Sequence, residues 1–308
     1  MKIAITGGTG FVGRHLARHL LSLGHQPILL ARGRDVRYPP VAPVIQTDLA
    51  DSRLVAEAIR GCQAIAHCAG INREIGLQTY DRVHVNGTRN VIEAARLAGV
   101  SRLLLLSFLR ARPDNGSPYH ESKFQAEELV RGSGLDFTVL KAGMIYGRGD
   151  HMLDHLSHML FTVPVFLTVG LREEPIRPVA VRDVTRVITA ALTAGRLSRQ
   201  TVFVLGPETL LLSEAVRRVA ATLQRRVWTM PAPVVFHRML ATFCEGAMAV
   251  PLVARAQVRM LEEGFLEAVP AADALPDDLT PRIRFTADEI RQGLPEPGPF
   301  TCADLRFC

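Results

Sequence analysis

The sequence predicts an α/β fold: a doubly wound parallel sheet with a smaller C-terminal region on the substrate side. Two observations carry this prediction. The first half of the chain alternates short apolar runs with amphipathic stretches of helical period. Three of the four helical stretches run into a glycine, the usual stop signal of a helix, and the fourth ends on Gly132. Strict alternation of strand and helix implies parallel strands covered on both faces.

Six apolar runs are predicted as strands, and four stretches between them as helices. The strands are residues 2–6, 26–31, 43–47, 64–68, 102–107 and 137–141, and the helices are residues 11–23, 51–60, 79–98 and 118–132. After residue 150 the rhythm changes to proline-punctuated segments, with a strand at 201–205 and helices near 212–224, 233–248 and 255–264. We therefore predict a dinucleotide-binding core over 1–147, and a substrate-side region over 148–308 that also returns strands to the sheet.

Composition argues against several classes of protein. The 308 residues carry a net charge of +6, but 33 arginines and three lysines are spread evenly and interleaved with acids, which is not typical of nucleic-acid binding. Five cysteines, none in C-x-x-C spacing, favour a reducing compartment without structural zinc, and no metal is expected. The longest uncharged apolar run has 13 residues, short of the roughly 20 that span a bilayer. A cytoplasmic protein is the resulting prediction.

A glycine-rich turn, "ITGGTGFVG", joins the first strand to the first helix. Glycines let the backbone turn tightly and approach a pyrophosphate, and the helix N-terminus adds free N–H groups and partial positive charge. In this strand–turn–helix context the spacing predicts a dinucleotide site. The residues expected to hold the dinucleotide here are Gly7, Thr9, Gly10, Phe11, Val12 and Gly13.

The loop after the second strand indicates which dinucleotide binds. Arg32 and Arg34 occupy it, and the first acid is Asp35. Arginines suit a 2′-phosphate, whereas NAD(H) sites usually place an acid here, so we predict NADP(H) over NAD(H). Alternatively, the two arginines reflect the general arginine preference of this chain. Asp48 and Leu49 are expected beside the adenine, and Cys68, Ala69 and Gly70 beside the ribose and pyrophosphate.

The stretch "SPYHESK" places Tyr119 and Lys123 four residues apart in the opening turns of a helix. Ser117 is a good N-cap and Pro118 a good first helical residue, so the pair shares one face. A tyrosine has an ordinary pKa of about 10, and a nearby ammonium lowers it. Such a pair can exchange the proton that accompanies hydride transfer.

With these pieces in order, the sequence resembles the short-chain dehydrogenase/reductase superfamily in its extended and atypical branches. The matching segments are "TGGTGFVG", "DLAD", "VNGTRNVIEAA", "YHESK", "LKAGMIYGRGD" and "RPVAVRDV". The resemblance implies that Tyr119 is the catalytic acid/base and that Lys123 binds the nicotinamide ribose and lowers the pKa of Tyr119. It also implies that Asn86 braces the active-site helix and that residues 143–146, including Met144, lie beside the nicotinamide.

Two positions depart from the family pattern. The hydroxyl that usually orients the substrate carbonyl is represented by Ser107, one position early, which leaves Phe108 where the hydroxyl belongs. Lys141 and Ala142 stand where extended members have arginine and proline. Later segments are similar to an atypical subgroup that includes the nucleotide-binding accessory subunit of respiratory complex I.

Three functions follow from the resemblance. The first is an NADP(H)-dependent oxidoreductase acting on a small-molecule carbonyl, alcohol or activated alkene, and a homodimer would be ordinary for the superfamily. The second is a non-catalytic NADPH-binding assembly or sensing protein. The third is a nucleotide-sugar epimerase or dehydratase.

Two further features of the second half leave alternatives open. His151, His155 and His158 recur at helical spacing, either as a polar face near the substrate or as a zinc site. The apolar segment 231–261 either packs over the substrate cleft or faces a peripheral membrane surface, a quinone or a partner. Trp228, just before it, is expected to be a core anchor or a pocket wall.

Overall fold

The computed structural model describes residues 1–33, 39–247, 253–264, 266–296 and 298–300. The chain divides into two compact units. The sheet unit comprises residues 1–142, 181–204 and 267–280, and the second unit comprises the described residues of 143–180, 205–266 and 281–308. Within the described residues, no helix combines the length and apolar character needed to cross a bilayer.

The elements follow one another in this order: β1 (Lys2–Thr6), α1 (Phe11–Ser22), β2 (Gln26–Ala31), β3 (Val44–Gln46), α2 (Ser52–Ala58), β4 (Ala64–His67), a π-helical segment (Asp81–Asn86), α3 (Gly87–Ala98), β5 (Arg102–Phe108), α4 (Pro118–Arg131), β6 (Asp136–Ala142), β7 (Ile145–Tyr146), α5 (His151–Thr162), β8 (Val165–Val169), β9 (Val179–Ala180), α6 (Val181–Thr193), β10 (Gln200–Val204), α7 (Leu212–Thr222), β11 (Trp228–Ala232), α8 (Val234–Ala247), α9 (Arg255–Glu263) and α10 (Ala287–Gly293).

The sheet unit is built on a seven-stranded parallel sheet with the strand order β10-β6-β5-β4-β1-β2-β3. The chain proceeds outward from β1 to β3, then crosses to β4 and proceeds in the opposite direction. The strand order therefore reverses between β1 and β4, and ligands of such sheets bind at the carboxyl ends of the strands at this switch point. This topology confirms the predicted doubly wound fold.

The core of the sheet unit explains why its strands read as unbroken apolar runs. Ile3, Ala4 and Ile5 of β1 are fully buried, as are Leu103 and Val139 on neighbouring strands. A parallel sheet with helices on both faces has no solvent-facing side, so apolar residues occupy consecutive positions instead of alternate ones. This packing fixes the carboxyl ends of β1, β4 and β5 next to one another.

The second unit contains two short sheets and most of the later helices. β7 pairs in parallel with β9, and β11 pairs in parallel with β8. These four strands are absent from the prediction, because two have only two residues and the others contain or follow a proline. The backbone is also tightly packed here: a Cβ on Gly206 would lie 1.7 Å from the carbonyl oxygen of Pro178.

Candidate functional site

The glycine loop after β1 is packed so closely that side chains do not fit. Gly7 has a left-handed φ of +66°, and a Cβ there would lie 2.8 Å from the Cα of Ala69 in the turn after β4. A Cβ on Gly13 would lie 2.4 Å from the carbonyl oxygen of Gly7. The turns after β1 and β4 thus approach each other backbone to backbone, which a side chain at position 7 would prevent.

The N-terminus of α1 fits a pyrophosphate. Its N-cap is Gly10, which has no side chain to cap the first amides, and no acidic residue lies in the first turn. The amides and the helix dipole therefore favour an anion at this point. Thr9 Oγ1 donates to the carbonyl oxygen of Gly33 at 3.1 Å, which ties the loop to the segment after β2. Phe11 packs edge-on against His15, and Val12 is half-buried.

Arg32 is exposed at the carboxyl end of β2, where its carbonyl accepts from Gln46 Nε2 at 3.0 Å. Arg34, the second predicted phosphate ligand, lies outside the described residues. After β3, Asp48 forms an ion pair with Arg82 at 3.0 Å, and the carbonyl of Leu49 accepts from Asn90 Nδ2 at 2.8 Å. The predicted adenine contacts of Asp48 and Leu49 stay predictions.

Lys123 lies against the turn that follows β4, where Cys68, Ala69 and Gly70 are found. Its Nζ is 3.0 Å from the position of a Cβ on Gly70, and it donates to the carbonyl of Leu106 at 3.4 Å. Burial lowers the pKa of this ammonium to about 8, partly opposed by Glu127 and Cys68. Burial also raises the pKa of the Cys68 thiol to about 12. The structure therefore brings together the Lys123 ammonium, the turn after β4 and the carbonyl of Leu106, which the sequence places far apart.

Tyr119 is surrounded by aromatic rings. Phe108 lies 5.5 Å from its ring centroid, and Tyr80 and His84 each lie 5.7 Å away. The side chain is only 6% exposed, so burial raises the pKa of the phenol, and the Tyr80 phenol adds to this effect. Desolvation thus dominates the pKa of Tyr119, and the predicted lowering of this pKa by Lys123 stays a prediction.

His84, and not Asn86, braces α4. Asn86 donates to Asp81 at 2.6 Å and accepts from Arg89, so its described hydrogen bonds are local. His84 accepts from the amide of Ile71 through Nε2 at 3.1 Å and pairs through Nδ1 with Ser122 Oγ on α4 at 2.9 Å. His84 lies in the π-helical segment, a rare geometry that often marks functional sites.

A buried chain of hydrogen bonds leads from β1 towards Tyr119. The imidazole of His67 pairs with Thr6 Oγ1 at 2.6 Å and with Thr88 Oγ1 at 3.0 Å, and Thr88 donates to the carbonyl of His84 at 2.5 Å. The Thr88 hydroxyl donates its proton to that carbonyl, so its oxygen accepts from His67 Nε2–H. His67 Nδ1 is then an acceptor, and the Thr6 hydroxyl donates to it. Burial, followed by the charge of Lys123, lowers the pKa of His67 to about 3, so the ring is neutral.

The chain of hydrogen bonds continues into α4 with a consistent direction. Because His84 Nε2 accepts from a backbone amide, Nδ1 carries the proton and donates to Ser122 Oγ. Ser122 in turn donates to the carbonyl of Tyr119 at 3.0 Å. Burial and the charge of Lys123 hold the pKa of His84 well below its ordinary value. Neither histidine is among the predicted site residues, although His84 lies in "VHVNG", the stretch that leads into α3.

Ser107, the candidate substrate-orienting hydroxyl, has another partner. It donates to the buried carboxylate of Glu127 at 2.5 Å, and Lys141 Nζ contacts both oxygens of that carboxylate at 3.1 Å. Its neighbour Phe108 is the residue that packs on Tyr119. Ser107 therefore belongs to a buried ion-pair cluster, and an aromatic ring stands beside the tyrosine.

The remaining predicted residues lie in the second unit. Met144 accepts a hydrogen bond from the amide of Val179 at 2.9 Å through its carbonyl. The ring centroids of His151 and His155 are 4.0 Å apart. His158 Nδ1 forms a hydrogen bond with the carbonyl oxygen of Asp154 at 2.7 Å. Across the part of the chain that the structure describes, no group of three side chains is arranged to hold a metal ion.

Comparison with known proteins agrees with this geometry. Residues 7–155 match the NAD(P)H-binding family. An uncharacterized protein of Mycobacterium tuberculosis is 29% identical over 281 residues, which cover 90% of this chain and 29% of that protein. The chain thus spans less than a third of the length of the mycobacterial relatives it matches.

Two further relatives are named by function. The ceramide reductase of Caulobacter vibrioides is 37% identical over 156 residues, 48% of this chain and 47% of that protein. Mouse mitochondrial NADH dehydrogenase [ubiquinone] 1 alpha subcomplex subunit 9 is 24% identical over 284 residues, 89% of this chain and 73% of that protein. This second match agrees with the predicted similarity to a complex I subunit.

Among solved structures, the UDP-glucose 4-epimerase of Thermus thermophilus in complex with NAD superposes with a TM-score of 0.69 at 21% identity, covering 94% of this chain and 99% of that one. At this identity the likeness establishes the fold. Residues 7–155 thus match an NAD(P)H-binding family, and the chain shares its fold with the solved epimerase structure.

Proposed function

We propose that the protein is an NADP(H)-dependent reductase that converts a carbonyl on an apolar molecule into an alcohol, with Tyr119 as the proton donor. The observation that carries this proposal is the position of Lys123 and Tyr119 on the buried face of α4. Lys123 Nζ reaches the turn after β4, 3.0 Å from a Cβ on Gly70, and that turn contacts the glycine loop through Gly7. An acid/base pair and a nucleotide loop are thereby joined at the switch point of the sheet.

The state of Tyr119 favours reduction over oxidation. When bound, a reduced nicotinamide supplies the hydride that adds to the carbonyl carbon. Tyr119 supplies the proton to the carbonyl oxygen, so that a ketone becomes a secondary alcohol, and the phenol then regains a proton from solvent. Because burial raises the pKa of Tyr119, the phenol is protonated at neutral pH and ready to donate. The Lys123 ammonium stabilises the phenolate that forms and is suited to bind the ribose hydroxyls.

The surroundings of Tyr119 favour an apolar substrate. Phe108 and Tyr80 present rings to it, and Ser107, the nearest candidate hydroxyl on β5, is bound to Glu127. A sugar needs hydrogen-bonding partners for its hydroxyl groups, and rings leave such groups unsatisfied. The name of the Caulobacter relative, ceramide reductase, is consistent with a lipid carbonyl.

Arg32 supports NADP(H) as the cofactor. It is exposed at the carboxyl end of β2, next to Gly33, which accepts from Thr9 of the glycine loop. A guanidinium at this position binds a 2′-phosphate by charge-assisted hydrogen bonds. The Arg32→Ala variant is therefore expected to lose affinity for NADPH and to keep its affinity for NADH, as measured by the fluorescence of the bound nicotinamide. Equal losses for both nucleotides would contradict this assignment.

The experiment that tests the proposal follows NADPH oxidation with a series of long-chain aliphatic ketones and, separately, UDP-glucose. Tyr119→Phe is expected to reduce ketone turnover by about 10²–10⁴-fold while NADPH binding is retained. Tyr80→Phe is the matched control, because its hydroxyl donates to the carbonyl of Asn72 at 2.9 Å and takes no part in proton transfer. It should keep most of its activity.

Two outcomes would overturn the proposal in different ways. If the wild-type protein holds NADPH without turnover and Tyr119→Phe behaves identically, the protein is a non-catalytic NADPH-binding module. This is the second of the three functions predicted from the sequence, an assembly or sensing protein. If it copurifies with dinucleotide and epimerises UDP-glucose without net reduction, it is an epimerase.

A further inference from the structure

The outer face of α8 is apolar and exposed. Val235, Met239 and Phe243 recur every four residues and form one stripe, with Phe236 beside it. They are 65%, 69%, 70% and 47% exposed, respectively. Large apolar side chains are thus concentrated on the solvent side of a helix, where polar residues are usual.

The opposite face of α8 already has its packing partners. Ala241 is fully buried against Val169 of β8 and Val258 of α9. His237 is buried and hydrogen-bonds through Nε2 to the carbonyl of Leu167 at 3.2 Å. The small and polar residues of α8 pack against the rest of the second unit. The large apolar residues therefore do not belong to its core. Within the described residues, these large apolar side chains are left facing solvent.

The apolar area continues beyond α8. Trp228 and Met230 of β11, the strand that leads into the helix, are 72% and 54% exposed. Leu171 is 74% exposed and follows Gly170, where a Cβ would lie 3.8 Å from Val234 Cγ2 at the start of α8. We call these residues the apolar face: Leu171, Trp228, Met230, Val235, Phe236, Met239 and Phe243. Trp228 is therefore not the core anchor that the sequence suggested.

The size of the apolar face exceeds ordinary surface composition. An aromatic side chain has roughly 200 Å² of surface, so its three aromatic residues alone expose on the order of 350 Å². The other four residues raise the total beyond the 300–600 Å² that is about the largest apolar patch of a typical monomer. Apolar areas of this extent mark a binding surface.

Charge near the apolar face identifies the kind of surface it fits. Five arginines lie between Glu214 and Glu245. Arg218 is paired with Glu208 and Glu214, and Arg238 is paired with Glu262, so the charge next to the apolar face comes from the arginines before Trp228. Arg225 and Arg226, directly before Trp228, are exposed, and Arg225 stacks 4.2 Å from the ring centroid of Phe161. Exposed arginines beside tryptophan, phenylalanine and leucine suit an interface in which apolar residues enter the acyl boundary and cations meet anionic headgroups.

We propose that the apolar face binds the surface of an anionic phospholipid bilayer, with the second unit lying on the membrane. A second copy of the chain fits less well, since a two-fold interface places the same patch on both partners and brings the two pairs of arginines together. The proposal is independent of the reaction at Tyr119.

The test uses the whole 308-residue chain and sonicated vesicles. Vesicles of phosphatidylcholine are compared with vesicles containing phosphatidylglycerol, by flotation and by the emission of Trp228, the only tryptophan. The protein is expected to float with the anionic vesicles and to show a blue shift of its emission, both weakened by salt. Phe243→Glu is expected to lower the partition coefficient by roughly tenfold to a hundredfold. Arg225→Gln with Arg226→Gln should abolish the preference for anionic lipid.

Leu54→Glu is the matched control, because Leu54 is a single exposed leucine on α2, and it should float like the wild type. Circular dichroism shows whether each variant is folded, and Met239→Glu replaces Phe243→Glu if that variant is not. The proposal is overturned if the wild type stays unbound on anionic vesicles. It is also overturned if gel filtration shows a dimer that Phe243→Glu converts to a monomer.

Discussion

Replacing Lys123 by methionine is expected to stabilise the nucleotide-free protein. Lys123 is only 8% exposed, and its hydrogen bond to the carbonyl of Leu106 is a long one of 3.4 Å. Burial lowers its pKa from 10.5 to about 8. At about 1.4 kcal/mol per pH unit, this difference corresponds to roughly 3 kcal/mol of stability lost at neutral pH. Methionine fills the same space without the charge.

The sign of the pH dependence follows from the two pKa values. Below pH 8 the lysine is charged in both the folded and the unfolded state, so the folded state bears the full cost. Between pH 8 and 10.5 the folded state has released its proton while the unfolded state retains it, so the free energy of unfolding of the wild type rises with pH. The advantage of Lys123→Met is therefore largest up to about pH 8 and disappears near pH 10.5.

The assay is urea unfolding of nucleotide-free wild type and variant, followed by circular dichroism at pH 7 and pH 10. Lys2→Met is the control, since its ammonium donates to the carbonyl of Arg60 at the surface, and it should change little. NADPH affinity should fall in Lys123→Met even as stability rises, as is usual for functional residues. A folded Lys123→Met protein that is less stable at pH 7, or equally stabilised at both pH values, refutes the reasoning.

Three further perturbations have defined outcomes. Lys141→Met should lower the free energy of unfolding by about 1–3 kcal/mol, because the buried carboxylate of Glu127 loses one charged partner and keeps Arg131 and Ser107, and Glu127→Gln added to it should recover part of the loss. Relative to the wild type, His67→Gln should gain thermal stability as pH falls from 6.5 towards 3, because in the wild type the unfolded state takes up a proton that the buried ring of folded His67 does not bind. Gly13→Ala should weaken NADPH binding at least tenfold and destabilise by about 1–3 kcal/mol, because its Cβ would lie 2.4 Å from the carbonyl oxygen of Gly7.

Each of these has an outcome that contradicts it. Unchanged urea unfolding of Lys141→Met means that Arg131 and Ser107 are sufficient to stabilise the Glu127 carboxylate. A stability difference between His67→Gln and the wild type that does not change with pH would assign the proton uptake to another group. Normal NADPH affinity of Gly13→Ala means that the loop shifts without loss, and Gly246→Ala, where a Cβ meets nothing within 4 Å, is the control for a helical glycine.

The sheet unit could be predicted because its signals are local. Buried parallel strands read as apolar runs, and glycines end several helices, so six strands were placed within about two residues of their observed ends. The second unit was predicted less completely. β7 and β9 have two residues each, too few for any periodicity, and Pro164 interrupts the run that contains β8.

The candidate site was also predicted in part: its local motifs could be recognised, and its contacts between distant segments could not. Tyr119, Lys123 and the glycine loop are recognisable from their spacing together with their place after the predicted strands. His84 is not, because its role depends on Ile71 and Ser122, which are remote in sequence and meet it only in the folded chain. The same is true of the raised pKa of Tyr119, which depends on burial beneath rings from other segments.

The neutral hydrogen-bond chain from Thr6 to Tyr119 also constrains how this site can change during evolution. Its histidines use one nitrogen to donate and the other to accept, and Thr88 and Ser122 donate and accept through a single oxygen. A substitution that reverses one link leaves two donors or two acceptors facing each other at the next. Thr6, His67 and Thr88 are therefore expected to change as a set. His84 and Ser122 form a second set, because the amide of Ile71 fixes the direction of their hydrogen bond.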